Sequence, residues 1–442
     1  MKARRGHPRR EALGILARVE EGAWSHRLLA SVQARLPAAD DRRFLHHLVL
    51  ETLRWQGALD RVVEPHVHGG FRNLDPLVRA ALRMGLLQAA RMDRPAAIAV
   101  SSTVEALKVA GAGRACSLVN AVLRKALLGG APRLDAMQTI PAWIRRRWEC
   151  RFGLDKARSI VRACLEPAPS TIIVRPDGPD RSEVLNTLVE RGAEVRISHF
   201  HPLALEIERA GRRSAPQGER EGPWLMMDAA SALVAYLTRP EVEGPIVDLA
   251  AAPGGKAALA AMLWSKPVLA AEKNPARTLR MAERFHRLAE ACASSALRET
   301  ETLIADATAS CGREATAGVV LLDAPCSGTG TMRRRPEIRH RLTIEQIDHC
   351  RREQERMLDA AARWVRPGGA LVYSVCSIEV EEGRTQVSAF LARHPGFIIE
   401  DPRKFLPLEA HDLVSSADVP LLETLPGEEG MDGFVAARFR RV

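Results

Sequence analysis

Beyond Trp224 the chain consists of short apolar runs that alternate with stretches of helical period, and this pattern narrows the fold more than any other feature. Residues 246–249, 268–272, 303–306, 319–323 and 370–374 read as strands; residues 257–264, 278–293, 354–365 and 383–393 read as helices. Strands separated by helices can pair in parallel only through crossover connections, so the pattern predicts an α/β doubly wound, largely parallel sheet. In such sheets ligands sit beyond the carboxyl ends of the strands. Residues at those ends are therefore the first place to look for chemistry.

The front of the chain follows a different rule. From residue 11 to about 130 the apolar positions recur at helical spacing: Leu28, Leu29, Val32 and Leu36; then Val78, Ala81, Leu82, Gly85 and Leu86; then Val104, Leu107, Leu118, Val122 and Leu123. This predicts an all-α bundle. Residues 131–169, with Trp143, Trp148 and three consecutive arginines from Arg145, read as a connector. Residues 170–222 read as a small α/β module, with strands at 171–174 and 203–207, a helix at 182–191 and a polar loop at 211–222. The expected domains are 1–140, 141–222 and 223–442, a multidomain chain.

Charge follows the same division. The 442 residues carry a formal charge of +10, with 56 Arg and 8 Lys. Residues 1–140 hold 22 basic and 12 acidic side chains, whereas residues 221–442 hold 27 and 31. The excess is thus concentrated in the front, where it suits phosphate binding. Aromatic residues make up only 4%, too few for an extended base-stacking surface. No signal peptide or spanning segment is visible, and none of the eight cysteines forms a C-x-x-C pair, which argues against a disulfide scaffold and a metal cage. A reduced, cytoplasmic protein without membrane or metal is expected, as a monomer.

The first strand runs into Asp248-Leu249-Ala250-Ala251-Ala252-Pro253-Gly254-Gly255-Lys256. Small residues let the backbone approach a ligand closely, and a helix starts here with free N–H groups. The spacing fits neither a usual dinucleotide loop nor a P-loop. Glu272 closes the second strand, where an acid can accept both hydroxyls of a ribose. Asp306 and Asp323 close the third and fourth. A single acid there is commonly a turn or cap residue; three beside a small-residue loop point to a site.

Two cysteines stand out. Asp323-Ala324-Pro325-Cys326-Ser327-Gly328-Thr329-Gly330 follows one strand and Tyr373-Ser374-Val375-Cys376-Ser377 closes the next, so both loops open on one sheet edge. Cys326 and Cys376 lie among polar loop residues, as a nucleophile does. Cys116, Cys150, Cys164, Cys292, Cys311 and Cys350 read as small buried hydrophobes. Arg333, Arg334, Arg335, Arg339 and Arg341 after the first loop either hold RNA phosphates or form a solvated face.

These blocks resemble the RNA cytosine-5 methyltransferases, as do Arg334-Arg335-Pro336-Glu337-Ile338 and the block from Asp432 to Arg438. In the front, Asp41-Arg42-Arg43-Phe44, the run from Leu82 to Gln88, Thr103-Val104-Glu105 and the run from Leu118 to Arg124 resemble the NusB RNA-binding domain. A NusB-like bundle ahead of such an enzyme is the layout of the RsmB/Sun-type bacterial ribosomal RNA (cytosine-5) methyltransferases. The resemblance implies a Rossmann-like methyltransferase domain that uses S-adenosyl-L-methionine and acts on small-subunit ribosomal RNA. It implies Cys376 as nucleophile, Cys326 as release cysteine, Asp323 against the base, and Lys256 as a site residue where its plain role is helix N-terminal structure. It places the cofactor against Ala250, Ala251, Ala252, Pro253, Gly254, Gly255, Lys256, Glu272, Asp306 and Asp323.

The chain departs from the family pattern at Ala250, Ala257, Glu272 and Val375, where Cys, Thr or Ser, Asp and Thr are usual. The Pro325-Cys326 pair also fits the attacking motif of DNA cytosine enzymes, so the choice of nucleophile stays open at this point. Three other readings remain: a transfer RNA cytosine-5 methyltransferase, a non-catalytic RNA-binding or antitermination factor, and a small-molecule methyltransferase, which the paired cysteines and the basic front half disfavour.

Overall fold

A computed structural model describes residues 7–209, 223–292, 294–309, 314–415 and 418–442. The expected loop at 211–222 and Cys311 lie outside the described residues. The chain separates into two compact units, one of residues 1–167 with 332–341 and one of residues 168–331 with 342–442.

The first unit is helical: α1 (Pro8–Glu20), α2 (Ser25–Gln33), α3 (Ala39–Val63), α4 (Pro76–Arg91), α5 (Ala96–Val109), α6 (Cys116–Ala126), α7 (Ala142–Phe152) and α8 (Leu154–Ala163). The stretch read as a connector thus contains two helices. α4 is the central one, buried along most of its length from Val78 to Ala89. Gly85 lets α6 pack closely there, because a Cβ would lie 2.5 Å from Leu123 Cδ1 and force that side chain to shift. Gln88 and Arg83 are satisfied inside this core: Gln88 accepts from Arg9 and donates to Thr103, while Arg83 pairs with Glu20 and Asp60.

Residues Met332–Arg341 complete this unit, although they follow the Cys326 loop in sequence. α2 has no side-chain cap of its own. The buried Glu337 carboxylate supplies one, accepting from the Ser25 N–H at 3.0 Å and the Ser25 hydroxyl at 2.9 Å. Arg339 is fully buried and donates to the carbonyls of Arg54, Cys164 and Met332. Arg333 donates to the carbonyl of Pro167, and Arg341 to those of Val19, Gly22 and Ala23 while lying over the Trp24 ring. Neither a phosphate grip nor a solvated face describes these three arginines; they donate to backbone carbonyls of the helical unit. Arg335 is exposed.

The second unit opens with β1 (Ser170–Val174), α9 (Arg181–Glu190), β2 (Glu194–Ile197), β3 (Ala204–Arg209) and β4 (Trp224–Met226), an antiparallel sheet of order β2-β3-β1-β4. The strands and helix of the small module fall where the sequence placed them. There follow α10 (Ala229–Tyr236), β5 (Ile246–Asp248), α11 (Gly255–Trp264), β6 (Val268–Glu272), α12 (Pro275–Ala291), α13 (Ser295–Arg298), β7 (Glu301–Ile304) and β8 (Ala317–Asp323). After α14 (Ile338–Arg341), which belongs to the helical unit, come α15 (Ile344–Trp364), β9 (Val365–Val375), α16 (Arg384–Arg393), β10 (Phe397–Glu400), β11 (Leu422–Thr424) and β12 (Phe434–Arg441).

The large sheet runs β10-β12-β9-β8-β5-β6-β7, with β11 on β12. The five strands from β9 to β7 are parallel, as expected, with β5 at the centre and the switch of direction on either side of it. The remaining strands pair antiparallel and cap the β9 edge. Apolar layers cover both faces: α10, α11 and α12 supply one, α15 and α16 the other. Among the described residues no helix is long and apolar enough to cross a membrane.

Candidate active site

The carboxyl ends of β5, β6, β8 and β9 collect the functional side chains. β5 ends at Asp248, which is fully buried and accepts from the Ala250 N–H. Burial pushes its carboxyl up to about 7, with the nearby Asp323 adding to the rise and Lys256 opposing it. The loop 249–254 then turns tightly into α11. Gly254, the residue before the helix, has φ +91°, and a Cβ there would lie 2.8 Å from Phe285 and 2.9 Å from Met281. Only glycine fits this turn, and it brings bare backbone to the edge of the sheet. Ala251 and Ala252 are buried and Pro253 is exposed.

At the end of β6 the Glu272 side chain is buried. One oxygen accepts from the Asn274 N–H at 2.9 Å and the other pairs with Arg277 at 3.0 Å. Arg277 also donates to the Ala252 carbonyl at 2.7 Å, so it ties the glycine loop to the acid of the next strand. Nothing in the sequence singled out Arg277, since an arginine in the first turn of a helix has no distinctive pattern. β7 stops two residues short of Asp306, which is exposed. The Thr308 N–H and hydroxyl hold the Asp306 carboxyl below its ordinary value.

The Lys256 ammonium lies 2.7 Å from Asp323 Oδ2 and 5.1 Å from the centre of the Phe434 ring. The Ser374 hydroxyl donates to Asp323 Oδ1 at 2.7 Å. This follows from sheet register, which pairs Asp323 with Ser374. Register also sets the cysteines. Cys326 lies three residues beyond Asp323 and Cys376 two beyond Ser374, and their sulfurs are 3.4 Å apart. Both are partly buried. The hydrogen bond to the Cys376 sulfur, then burial, raise the Cys326 thiol well above its ordinary value; the Glu382 carboxylate adds to this. Val375 is fully buried in the apolar layer, so the hydroxyl missing at this position is missing from the core side of the strand.

Backbone contacts fix the two cysteine loops. The Gly330 N–H donates to the Cys376 carbonyl at 3.1 Å, and the Gly433 N–H to the Gly330 carbonyl at 2.9 Å. Thr329 is buried, and its hydroxyl accepts from the Ile378 N–H. Glu382 also belongs to this site and was not singled out from sequence. The arrangement brings together Lys256, Asp323, Cys326 and Cys376. It sets the loop 250–255 and Glu272 along the same sheet edge, with Asp306 at its periphery. Among the described residues no cluster of side chains has the makings of a metal site.

A group with a methionine-like chain and a nucleoside fits this edge in chemical terms: a bare glycine turn at a helix start, then an acid at the next strand end. Three family descriptions match the chain. They are 16S rRNA methyltransferase RsmB/F over residues 235–440, NusB over residues 7–127, and the ferredoxin-like domain of RsmF/B-type methyltransferases over residues 140–213. Ribosomal RNA small subunit methyltransferase B of Xylella fastidiosa is 33% identical over 98% of this chain and 97% of its own. The protein of that name from Thermus thermophilus is 32% identical over 99% of both chains. The solved structure of the protein PH0851 superposes with a TM-score of 0.80 at 26% identity, covering 99% of each chain.

Proposed function

The chain belongs to the family of RsmB/F 16S rRNA methyltransferases, and from that premise we propose that it methylates carbon 5 of one cytosine in small-subunit ribosomal RNA through a covalent cysteine adduct. The observation that carries the reading is the 3.4 Å approach of Cys326 and Cys376 beside the Lys256–Asp323 pair.

Carbon 5 of cytosine is a weak nucleophile. Addition of the Cys376 thiolate to carbon 6 makes the ring enamine-like, and Asp323, in its acid form against the base edge, would donate its proton to ring nitrogen 3 as charge develops there. S-adenosyl-L-methionine supplies an electrophilic methyl group for carbon 5 to attack. Loss of the carbon 5 proton to a base then expels the thiolate and restores the aromatic ring. Cys326 serves release. Its thiol lies 3.4 Å from the sulfur that must leave the base, within reach of the reacting carbon pair.

The cofactor would lie along Ala250, Ala251, Ala252, Pro253, Gly254 and Gly255, with Glu272 on its ribose, Asp306 by its base, and Lys256 and Asp323 beside its reactive end. Glu272 has oxygen lone pairs to spare beyond Asn274 and Arg277, so ribose hydroxyls can be added without breaking either contact. The target base must leave its stack to reach this edge. The arginine-rich helical front supplies phosphate contacts. The division at residues 140 and 222, action in the cytoplasm and a monomeric state belong to the same proposal.

Bisulfite sequencing of total RNA from cells with and without the protein tests the reading. One cytosine mark lost from small-subunit ribosomal RNA is expected. A mark lost only from transfer RNA would replace ribosomal RNA as the substrate, and no lost mark would point to a binding factor without catalysis.

A further inference from the structure

Each active-site cysteine is followed directly by a serine: Cys326 by Ser327 and Cys376 by Ser377. The two serine hydroxyls are 3.0 Å apart. Between them sits Glu382, fully buried in the turn before α16. One of its oxygens accepts from the Ser327 N–H at 2.7 Å and from Gln354 at 3.1 Å; the other accepts from both serine hydroxyls. Gln354 also donates to the Pro325 carbonyl at 2.9 Å, on the other side of Cys326. Tyr373 donates from its hydroxyl to the Glu382 carbonyl at 2.6 Å, which fixes the backbone that carries the carboxylate.

We infer that Glu382 is a positioning residue that clamps the two cysteine loops together through the serine after each cysteine, and so sets the separation of the two sulfurs. The inference rests on the two-cysteine reading given above.

The physical argument is one of cost and geometry. A buried carboxylate is expensive unless its lone pairs are filled. Here the filling donors come from two loops fifty residues apart and from the helix behind them, so satisfying the charge forces the loops into one arrangement. Burial pushes the Glu382 carboxyl above its ordinary value, while Ser327, Ser377 and Gln354 pull it back down. A plain structural carboxylate would also be satisfied, but it need not join the residue after Cys326 to the residue after Cys376. Glu382 does both with one side-chain oxygen.

The test reads sulfur geometry without RNA or methyl transfer. Reduced full-length protein is equilibrated in glutathione buffers, and closure of the Cys326–Cys376 disulfide is measured by peptide mass spectrometry. Glutathione disulfide is the oxidant: it becomes two glutathione thiols as the protein thiols become a disulfide. Loss of charge-assisted hydrogen bonds in Glu382→Gln should lower the closure constant about 10-fold or more. The same variant should lower kcat for methyl transfer to RNA by a similar factor with KM for RNA changed by less than about twofold. Closure at the wild-type level in Glu382→Gln would overturn the clamp. Where Glu382→Gln lacks a cooperative thermal transition, Ser377→Ala decides: reduced closure supports the clamp and unchanged closure overturns it. Full methyl transfer by both Cys326→Ala and Cys376→Ala would instead sink the two-cysteine chemistry while leaving the closure result intact.

Discussion

Cys326 Sγ stands 3.4 Å from Cys376 Sγ because the strands that lead to them are paired Asp323 to Ser374. On the proposed chemistry both thiols face one reacting base, and their roles separate by what accumulates when each is lost. Cys326→Ala incubated with RNA and methyl donor should trap a covalent protein–RNA complex on a denaturing gel. Cys376→Ala should trap none. The opposite pattern would assign the attack to Cys326.

Lys256 is the one cation that pairs with Asp323 among the described ion pairs, at 2.7 Å. Lys256→Met leaves Asp323 beside the buried Asp248 without a counter-charge. Methyl transfer should fall on the order of 100-fold, since a preorganised charge at the reacting centre is lost. Stability should fall by only about 1 kcal/mol, because Asp323 is still a third exposed and screened by water. Turnover at saturating RNA together with a urea titration separates the two effects.

Gly330 has no room for a side chain: a Cβ would lie 1.9 Å from the Gly433 carbonyl oxygen. Gly330→Ala must push apart the Cys326 loop and the start of β12, and with them the bond from Gly330 to the Cys376 carbonyl. A loss of about 1–3 kcal/mol is expected, with activity falling alongside. Gly396→Ala, where nothing lies within 4 Å, is the control and should stay within about 0.5 kcal/mol of wild type. Chemical denaturation of both variants checks the contrast.

One buried and one half-buried histidine set an acid limit. The His201 Nδ1 accepts from the Leu203 N–H, which needs an unprotonated nitrogen, and burial lowers its pKa to about 3. Burial and Arg339 lower His340 to about 3 as well. Between pH 6.5 and 3 the unfolded chain binds these protons and the folded chain does not, so their contribution is complete above about pH 6.5 and is lost as pH falls. Asp248 acts with the opposite sign: its raised carboxyl favours the folded state as pH falls from about 7 towards 4. His201→Asn, which keeps an acceptor, should remove part of the acid slope, worth about 3 kcal/mol between pH 6.5 and 4. Urea midpoints across that range, compared with wild type, provide the check. Equal slopes would contradict a neutral buried His201.

The parallel sheet was legible because its strands are continuous apolar runs that end in small or acidic residues, as at Asp248, Glu272 and Asp323. The same ends gave the candidate site. α7 was not legible: its polar, arginine-rich sequence carries only a weak apolar stripe at Ile144 and Trp148. The antiparallel edge was also missed; residues 432–438 stood out as a block, but not as the approach to and start of β12. Glu382 gave no local signal, since its meaning depends on serines 55 and 5 residues away. An arginine run reads alike whether water or backbone carbonyls receive it, so Arg333, Arg339 and Arg341 could not be assigned from sequence.

The cap that Glu337 places on α2 has a consequence for how the protein is made. A ribosome releases α1 to α8 well before residues 332–341, and the segment 168–331 must emerge in between. During that interval Ser25 lacks its acceptor, and the carbonyls of Arg54 and Cys164 lack Arg339. At roughly 5–20 residues per second the nascent helical unit waits on the order of ten seconds or more for its last piece. Its folding is therefore finished by synthesis of the cysteine loop's own continuation. A chain truncated within the sheet unit would fail to complete the helical one.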